Sequence, residues 1–325
     1  MKDTLRSNRK KMSPEKQRII FMGTPDFAVP SLTALNKMGC EVVLVVTQPD
    51  RPKGRGRKVV YSPVKQTALE LGYSIAQPAS VKTSEFFDLI NSCTPDLFVV
   101  IAFGHILPKN ILAIPKQGAI NLHASLLPKY RGPAPIQWAV INRENKTGIT
   151  AMLMDQGLDT GDILMTSEID ISSKDTSSLL HDRLALAASD LLIKTLSGLE
   201  ANTLTPVPQD NSLATYAPLL KKKDGRIDWS KSAEDIEAFI RGINPWPGAF
   251  TMNGEKRLKI FAADVIASSI KQPPGTVVGE TREHLFVATG KDLLSIKEIQ
   301  EESGKRHNIK DYLCGCNIRP GTILG

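Results

Sequence analysis

Three short runs of apolar residues limit what this chain can fold into more than any other feature. Residues 18–23 (RIIFMG), 41–47 (EVVLVVT) and 96–104 (DLFVVIAFG) lack the polar alternation of a half-exposed strand. Runs of this kind are typical of parallel strands that are buried on both faces of a sheet. A helix is predicted over residues 26–37, so residues 18–47 form a strand–helix–strand unit. The sequence therefore predicts an α/β fold with a Rossmann-like, mostly parallel sheet.

The last third of the chain follows a different pattern. Residues 201–212 are polar and contain two prolines, which is typical of a linker. Beyond them the sequence predicts a helix over 233–241 and then short alternating strands near 257–262, 275–279, 284–288 and 293–299. This pattern predicts a small β-barrel or sandwich. The predicted organisation is a disordered basic tail at 1–17, a first domain at 18–203, a linker at 204–220 and a second domain at 221–325.

Composition excludes several classes of protein. No apolar run approaches the roughly 18 residues of a membrane-spanning helix, and residues 1–17 lack the apolar core of a signal peptide. Four cysteines in 325 residues are too few for a disulfide scaffold and fit a reducing compartment. Cys314 and Cys316 do not have the spacing of a zinc or redox site. We therefore expect a cytoplasmic protein that binds neither a metal nor a membrane.

Positive charge is concentrated in two segments of the chain. The net charge is +7, and residues 1–18 and 47–67 each carry +5. The second segment contains an inserted loop at 48–63, far longer than the usual 2–6 or so residues between a strand and a helix. Basic segments attached to a body of near-neutral charge are typical of proteins that meet a polyanion.

The cations of the inserted loop point to nucleic acid. Arginine contacts phosphates with a fixed fork of donors, and the glycines of the loop let its backbone follow an irregular surface. We predict that the loop cations and a second cluster bind nucleic acid; they are Arg51, Lys53, Arg55, Arg57, Lys58, Lys221, Lys222 and Lys223. A solvated charge run without a partner is the alternative.

The segment INLHASLLPKYRG (120–132) carries the residues that favour catalysis. Asn121 and His123 are two residues apart, so in a strand they share a face. The strand ends directly after them, at the sheet edge where α/β proteins bind their ligands. An asparagine amide donates to a developing oxyanion, and a histidine exchanges protons near neutral pH. A histidine that is simply hydrogen-bonded in a loop is the structural alternative.

Three aspartates follow in the segment MDQGLDTGDIL (154–164), which its glycines mark as a turn. Asp155, Asp159 or Asp162 can orient His123 or move a proton, although turn aspartates more often cap their own turn. No serine, cysteine or lysine nucleophile has an obvious setting, so direct attack by the substrate's own nucleophile is favoured. Residues 21–27 (FMGTPDF) lack the glycine fingerprint of a dinucleotide site.

These segments resemble a known family. The run INLHASLLPKYRGPAPIQWAV (120–140), followed by GLDTGDIL (157–164), is similar to the signature of the folate-dependent formyltransferases. The loop QPDRPKGRG and the segments KKKDGRIDW (221–229) and GINPWPGAF (242–250) resemble the branch of that family whose acceptor is methionyl initiator tRNA. The resemblance extends from about Arg18 to the C-terminus.

The resemblance implies a reaction and a set of residues. It implies transfer of the formyl group of 10-formyltetrahydrofolate to the α-amine of methionyl initiator tRNA, in translation initiation and without a metal. The implied catalytic residues are Asn121, His123 and Asp159, and the implied folate contacts are Ser125, Leu126, Leu127 and Pro128. Arg55 matches a basic position that reads the acceptor stem. The second domain is similar to an OB-like β-barrel with tRNA contacts.

Other functions remain open at this stage. A formyltransferase for a small amine, such as glycinamide ribonucleotide or an amino sugar, would not need the basic loop or the barrel. A non-catalytic RNA-binding protein would not need Asn121, His123 and Asp159. A nicotinamide dehydrogenase is disfavoured by the missing glycine fingerprint. We favour a structural role for His105, and we expect the protein to act as a monomer.

Overall fold

The computed structural model describes residues 17–53, 58–279, 283–316 and 318–325. Almost all of the predicted tail therefore lies outside the described residues, as do Arg55 and Arg57 of the basic loop. The described chain forms two compact units. Residues up to Ile120 belong to the first, and residues from Asn121 onward belong to the second.

The first unit is built on parallel strands. Its sheet has the strand order β5-β2-β1-β6-β7, and the pairs β2–β5, β1–β2 and β1–β6 are parallel. This confirms the predicted Rossmann-like sheet. The elements are β1 (Arg18–Gly23), α1 (Val29–Lys37), β2 (Glu41–Val46), β3 (Arg51–Lys53), β4 (Lys58–Val60), α2 (Pro63–Glu70), β5 (Ile75–Ala76), α3 (Ser84–Ser92), β6 (Leu97–Ile101), α4 (Lys109–Leu112) and the first residues of β7 (Ala119–His123).

Burial and capping explain why these elements form where they do. Phe21 in β1 and Phe98 in β6 are fully buried, as expected for strands covered on both faces. Helices α2 and α3 begin at hydroxyl caps: Ser62 and Thr83 accept hydrogen bonds from backbone N–H groups in the first turn. The 3₁₀ turn Asp26–Ala28 precedes α1, so the predicted helix over 26–37 is in two parts.

The inserted basic loop contains a hairpin that the sequence does not predict. Strands β3 and β4 pair antiparallel, with Arg51 opposite Val60 and Lys53 opposite Lys58. The pair stands apart from the large sheet as a two-stranded sheet of its own. The strands that begin and end the loop are therefore held together at its base.

The second unit starts with the end of β7 and contains the rest of the chain. Strands β7, β8 and β9 follow one another in the strand order, and β8 and β9 pair antiparallel. Its further elements are α5 (Pro135–Ile141), β8 (Lys146–Leu153), β9 (Ile163–Asp170), α6 (Ser177–Glu200), α7 (Ala233–Gly242), β10 (Ala249–Asn253), β11 (Lys256–Ile266), β12 (Val277–Val278), β13 (Leu285–Ala288), β14 (Leu293–Glu301), β15 (Arg306–Asn308) and α8 (Ile309–Gly315).

Helix α6 is a long helix with one buried face. Thr176 caps it by accepting a hydrogen bond from the backbone N–H of Leu179. Its buried face includes Leu184, Leu191 and Leu192, and it contacts β8 and β9. Within the described ranges no helix, α6 included, combines the length and apolar character needed to cross a bilayer.

The C-terminal strands form a curled antiparallel sheet. Its order is β10-β11-β14-β13-β12, and β15 pairs with β14. Two register shifts between β11 and β14, around Ala262, bend the sheet, because bulges increase local twist. Leu258, Leu285 and Ile296 belong to the core that this curl encloses together with α7. The architecture confirms the predicted small β-barrel, while β10, β15 and α8 were not predicted.

Candidate active site

His123 lies at the end of β7 with both ring nitrogens directed at defined groups. Its side chain is only 7% exposed. Nε2 lies 2.9 Å from the carbonyl oxygen of Tyr130, and Nδ1 lies 3.6 Å from Oδ2 of Asp159. Because a carbonyl oxygen only accepts, Nε2 carries the hydrogen. In the neutral ring Nδ1 therefore has the free lone pair, and that lone pair faces the carboxylate side of the site.

Asp159 is held in its position by its own backbone and by a neighbouring loop. It adopts a left-handed conformation with φ of 54°, which aspartate tolerates better than most residues. Its Oδ2 accepts a 2.8 Å hydrogen bond from the backbone N–H of Gly132. At Gly161 a Cβ would lie 1.7 Å from the carbonyl oxygen of Leu153, so the turn needs glycine there. The carboxylate thus reaches His123 from a tightly folded turn.

Asn121 shares a face of β7 with His123, as the sequence predicts. Its side chain is partly exposed, whereas His123 is buried. Among the described residues, the Asn121 amide has no hydrogen-bond partner. Its two N–H donors are therefore available to a ligand that approaches the end of β7.

Tyr130 fixes the loop that holds His123. Its φ of 60° is left-handed, and its backbone N–H donates to Oγ1 of Thr215 at 2.8 Å. Its phenol donates to Glu144 at 2.7 Å and accepts from the Asn142 amide at 3.1 Å. Burial raises the pKa of the Tyr130 phenol to about 12. Hydrogen bonds to the backbone N–H and to the phenol of Tyr130 thus hold the residue whose carbonyl faces His123.

Together these contacts describe a site for proton transfer beside an oxyanion donor. Asp159 stabilises positive charge on His123, and a lone pair on Nδ1 accepts a proton in that setting. The Asn121 amide offers donors to an oxygen that becomes negative. The structure brings Asn121, His123 and Asp159 together in the second unit, and their catalytic roles stay predictions.

The residues predicted to contact folate form the turn after β7. Ser125 is buried, and its hydroxyl donates to the carbonyl oxygen of Lys129 at 2.6 Å. Leu127 is buried and its backbone N–H donates to Oγ1 of Thr150 at 3.1 Å, while Leu126 and Pro128 are partly exposed. Any contact from Ser125 to a ligand would have to compete with its bond inside the turn. The folate contacts stay a prediction.

The predicted tRNA-binding cations fall in both units. Arg51 is exposed at the start of β3, and Lys53 and Lys58 are paired positions of the hairpin. Arg55 and Arg57 lie outside the described residues. In the second unit three consecutive lysines are exposed directly after Leu220, a residue of the barrel core; they are Lys221, Lys222 and Lys223.

Two other candidates from the sequence, Asp155 and His105, make local contacts. Asp155 accepts from the backbone N–H of Gly157 at 2.9 Å and from the Thr160 hydroxyl at 2.7 Å, so it caps its own turn. The His105 ring contacts Phe103 edge-on, and its buried Nε2 has no partner among the described residues. Within those residues, no group of three or more histidine, cysteine or acidic side chains is placed to hold a metal ion.

Sequence reasoning missed two groups that organise the site. The carbonyl of Tyr130 is a backbone group, which carries no residue-type signal. Gln209 lies in the predicted linker and donates to the carbonyl oxygens of Asp159 and Gly161 at 2.9 and 2.7 Å. The sequence marks Gln209 only weakly: it is a polar residue with two donors that follows Pro208 in a segment without a periodic pattern.

Comparison with protein families identifies the class. The formyl transferase family model matches residues 17–196, and the model of the formyl transferase C-terminal domain matches residues 219–317. The chain belongs to the formyl transferase family.

Within that family the similarity to one kind of enzyme covers nearly the whole chain. The methionyl-tRNA formyltransferase of Caldanaerobacter subterraneus subsp. tengcongensis is 49% identical over 308 residues, which are 94% of this chain and 99% of that protein. The methionyl-tRNA formyltransferase of Desulfotalea psychrophila is 49% identical over 313 residues, 96% and 97% of the two chains.

Solved structures share the fold at low sequence identity. A sugar 3N-formyl transferase, crystallised with dTDP and 5-N-formyl-THF, has a TM-score of 0.65 and 21% identity, and the match covers 89% of this chain and 99% of that one. An N-formyltransferase from Helicobacter canadensis has a TM-score of 0.64 and 19% identity, over 90% and 100% of the two chains. At these identities the likeness establishes the fold alone.

Proposed function

We propose that this chain transfers the formyl group of 10-formyltetrahydrofolate to the α-amine of methionyl initiator tRNA. The observation that carries the proposal is the site at the end of β7, where His123 faces Asp159 at 3.6 Å beside the Asn121 amide. Near-identical length and about half-identical sequence relative to methionyl-tRNA formyltransferases support this acceptor over a small amine.

The reaction is a direct transfer between two nitrogens. The neutral α-amine attacks the formyl carbon, so a C–N bond forms and the formyl oxygen becomes an oxyanion. The Asn121 amide donates a hydrogen bond to this oxyanion, a contribution of about 3 kcal/mol by analogy with single oxyanion donors. Collapse of the tetrahedral intermediate breaks the bond to N10 of the folate and releases tetrahydrofolate.

The proton balance of the reaction assigns the other two residues. The attacking amine must lose one proton, and N10 of the leaving folate must gain one. His123 accepts the amine proton at Nδ1, Asp159 stabilises the imidazolium that forms, and the imidazolium then gives the proton to N10 as the C–N10 bond breaks. The Tyr130 carbonyl keeps Nε2 protonated, so the ring presents Nδ1 throughout. No nucleophilic residue of the protein is needed.

The remaining sequence predictions extend this proposal to the RNA. We infer that Ser125, Leu126, Leu127 and Pro128 contact folate, and that the loop cations and the lysines at 221–223 contact tRNA phosphates. The domain boundaries that we propose, 18–203 and 221–325 with a linker at 204–220, are supported by the ranges of the two family matches. We also expect that the protein acts as a monomer in the cytoplasm.

Single-turnover formyl transfer from 10-formyltetrahydrofolate tests the proposal. Methionyl initiator tRNA and methionyl elongator tRNA are compared in parallel, with an amino sugar nucleotide and glycinamide ribonucleotide as small acceptors. Formylation of the initiator alone is the expected result. Formylation of a small amine with both tRNAs unmodified would contradict the proposal, and so would folate binding with no transfer to any acceptor.

A further inference from the structure

The segment predicted as a linker is hydrogen-bonded along the candidate active site. The backbone of Val207 exchanges two hydrogen bonds with Ile163, at 2.8 and 2.9 Å. The backbone N–H of Arg131 donates to Thr215 at 2.8 Å, and that of Ala217 donates to the carbonyl of Arg131 at 2.8 Å. The connecting segment is therefore fixed on both sides of Gln209.

The Gln209 side chain joins two parts of the site. Its Nε2 donates to the carbonyl oxygens of Asp159 and Gly161, at 2.9 and 2.7 Å. Its Oε1 accepts from Nε and Nη2 of Arg131, at 3.0 and 2.6 Å. Both donors and the acceptor of the Gln209 amide are thus used. On one side the amide binds Arg131, which directly follows the residue whose carbonyl faces His123. On the other side it binds the backbone of Asp159 itself.

Arg131 explains why the amide has this orientation. A guanidinium only donates, so the atom of Gln209 that faces it must be the oxygen. The NH₂ group must then face the turn at 159–161. Arg131 is 2% exposed, its other acceptor is Oδ1 of Asn211 at 2.9 Å, and no carboxylate pairs with it in the described part of the chain. A buried cation with only neutral partners is costly, which points to a use other than stability.

We propose that Gln209, oriented by Arg131, is the positioning residue for Asp159 in formyl transfer. Asp159 is left-handed, and the two bonds from Gln209 hold the backbone at Asp159 and two residues after it. The Gly132 N–H, next to Arg131, holds the carboxylate itself. Arg131 and Gln209 therefore fix both the backbone and the carboxylate of Asp159 relative to His123. This inference rests on the proposed function, because it assigns the placement of a residue in that reaction.

The substitution Gln209→Glu tests the donors of the amide separately from its acceptor. It keeps the size of the side chain and the oxygen that faces Arg131, and it removes both bonds to the turn. A carboxylate oxygen then faces two carbonyl oxygens, so the turn must move. Gln209→Met removes the donors and the acceptor without adding charge. Gln300→Glu is the matched control, because Nε2 of Gln300 donates to the carbonyl of Gly304 at 2.8 Å in the barrel.

The experiment measures kcat, both KM values, binding of 5-formyltetrahydrofolate and the unfolding midpoint for the full chain. We expect Gln209→Glu and Gln209→Met to lower kcat roughly 10- to 100-fold, with KM values and folate binding within about twofold, since small misplacements of catalytic groups have effects of this size. Gln300→Glu keeps the wild-type kcat at saturating tRNA.

Three outcomes would overturn the inference or separate it from the proposed function. A folded Gln209→Glu protein with wild-type kcat overturns it. A Gln209→Met protein whose kcat, folate binding and unfolding midpoint all fall together shows a merely structural role and overturns it as well; this variant decides the matter if Gln209→Glu does not fold. If the wild-type protein formylates no methionyl-tRNA, the proposed function fails whatever these variants do.

Discussion

The basic loop of the first unit and the turn at 157–164 of the second, called the catalytic turn because it carries the predicted catalytic residue Asp159, are each held by a glutamine whose oxygen faces a cation. At the base of the basic loop, Gln77 accepts from Nζ of Lys65 at 2.7 Å and donates to the carbonyl of Gln48 and to Asp50, both at 2.9 Å. At the catalytic turn, Gln209 accepts from Arg131 and donates to Asp159 and Gly161.

The two arrangements differ in their charge. Lys65 also forms an ion pair with Asp50, and the hydrogen bond from Lys65 lowers the pKa of that carboxyl group. The charges of Lys65 and Asp50 therefore cancel at the base of the basic loop. Cations such as Arg51 are not needed there and can bind a partner molecule. Arg131 has no carboxylate partner among the described residues. The catalytic turn is thus held by backbone bonds, and the Asp159 carboxylate is not drawn into a second ion pair.

Removing the imidazole that faces the catalytic turn has the largest expected effect. His123→Ala should lower kcat about 100-fold or more, because the site loses its proton acceptor. The base of the basic loop is unchanged, so the KM for tRNA should stay near that of the wild type. Steady-state formylation measures both, with the exposed His307→Ala as control. A variant with near-normal kcat would remove His123 from the reaction.

The next effect concerns the basic loop itself. Arg55→Ala should weaken tRNA binding about tenfold, near 1.4 kcal/mol, without changing folate affinity. The slope of log affinity against log salt should fall by about one, as expected for one lost phosphate contact. Filter binding over a salt series measures this, with the exposed Lys82→Ala as control. An equal loss of folate affinity would indicate a folding defect instead.

The base of the loop should have a smaller effect than the loop cation. Lys65→Met leaves the Gln77 amide without its orienting cation and removes the ion pair of Asp50. The KM for tRNA should rise about fivefold, near 1 kcal/mol, while kcat stays unchanged. Lys116→Met is the matched control, since Lys116 pairs with Asp96 in the same unit. A drop in kcat alone would mean that the basic loop and the catalytic turn are not separate in function.

The smallest effect is on stability at the loop that holds His123. Tyr130→Phe removes the bonds to Glu144 and Asn142 and should cost about 1–2 kcal/mol of unfolding free energy near neutral pH. Burial raises the pKa of Tyr130 from 10.0 to about 12 in the folded protein. The unfolded chain thus loses this proton first, and the stabilisation present below pH 10 is lost as the pH rises towards 12. Urea unfolding of both proteins should show their difference shrinking across this range; a constant difference would contradict the assignment.

The sheet of the first unit could be predicted because its signal is local. Strands β1, β2 and β6 are buried on both faces, so each leaves an unbroken apolar run in the sequence. The barrel was harder to predict strand by strand. Strand β10 precedes a two-residue turn with Gly254 at φ of 58°, and that glycine was the available signal for a hairpin.

The predicted catalytic side chains of the candidate site could be found from the sequence, whereas the residues that hold them in position could not. Asn121, His123 and Asp159 are residue types with recognisable chemistry, placed where strands end. Gln209 acts through contacts with Arg131 and Asp159, which are distant in sequence. No periodicity or spacing marks such a residue, because its partners are set only when the connecting segment packs along the site.

A double-mutant cycle of Gln209→Glu and Asp159→Asn in single-turnover formyl transfer tests most directly whether Gln209 acts through Asp159. If it does, Gln209→Glu should slow the reaction roughly 10- to 100-fold in the wild-type background and less than about twofold in the Asp159→Asn background. Equal fold-losses in both backgrounds would contradict this account, because Gln209 would then act on the reaction without Asp159.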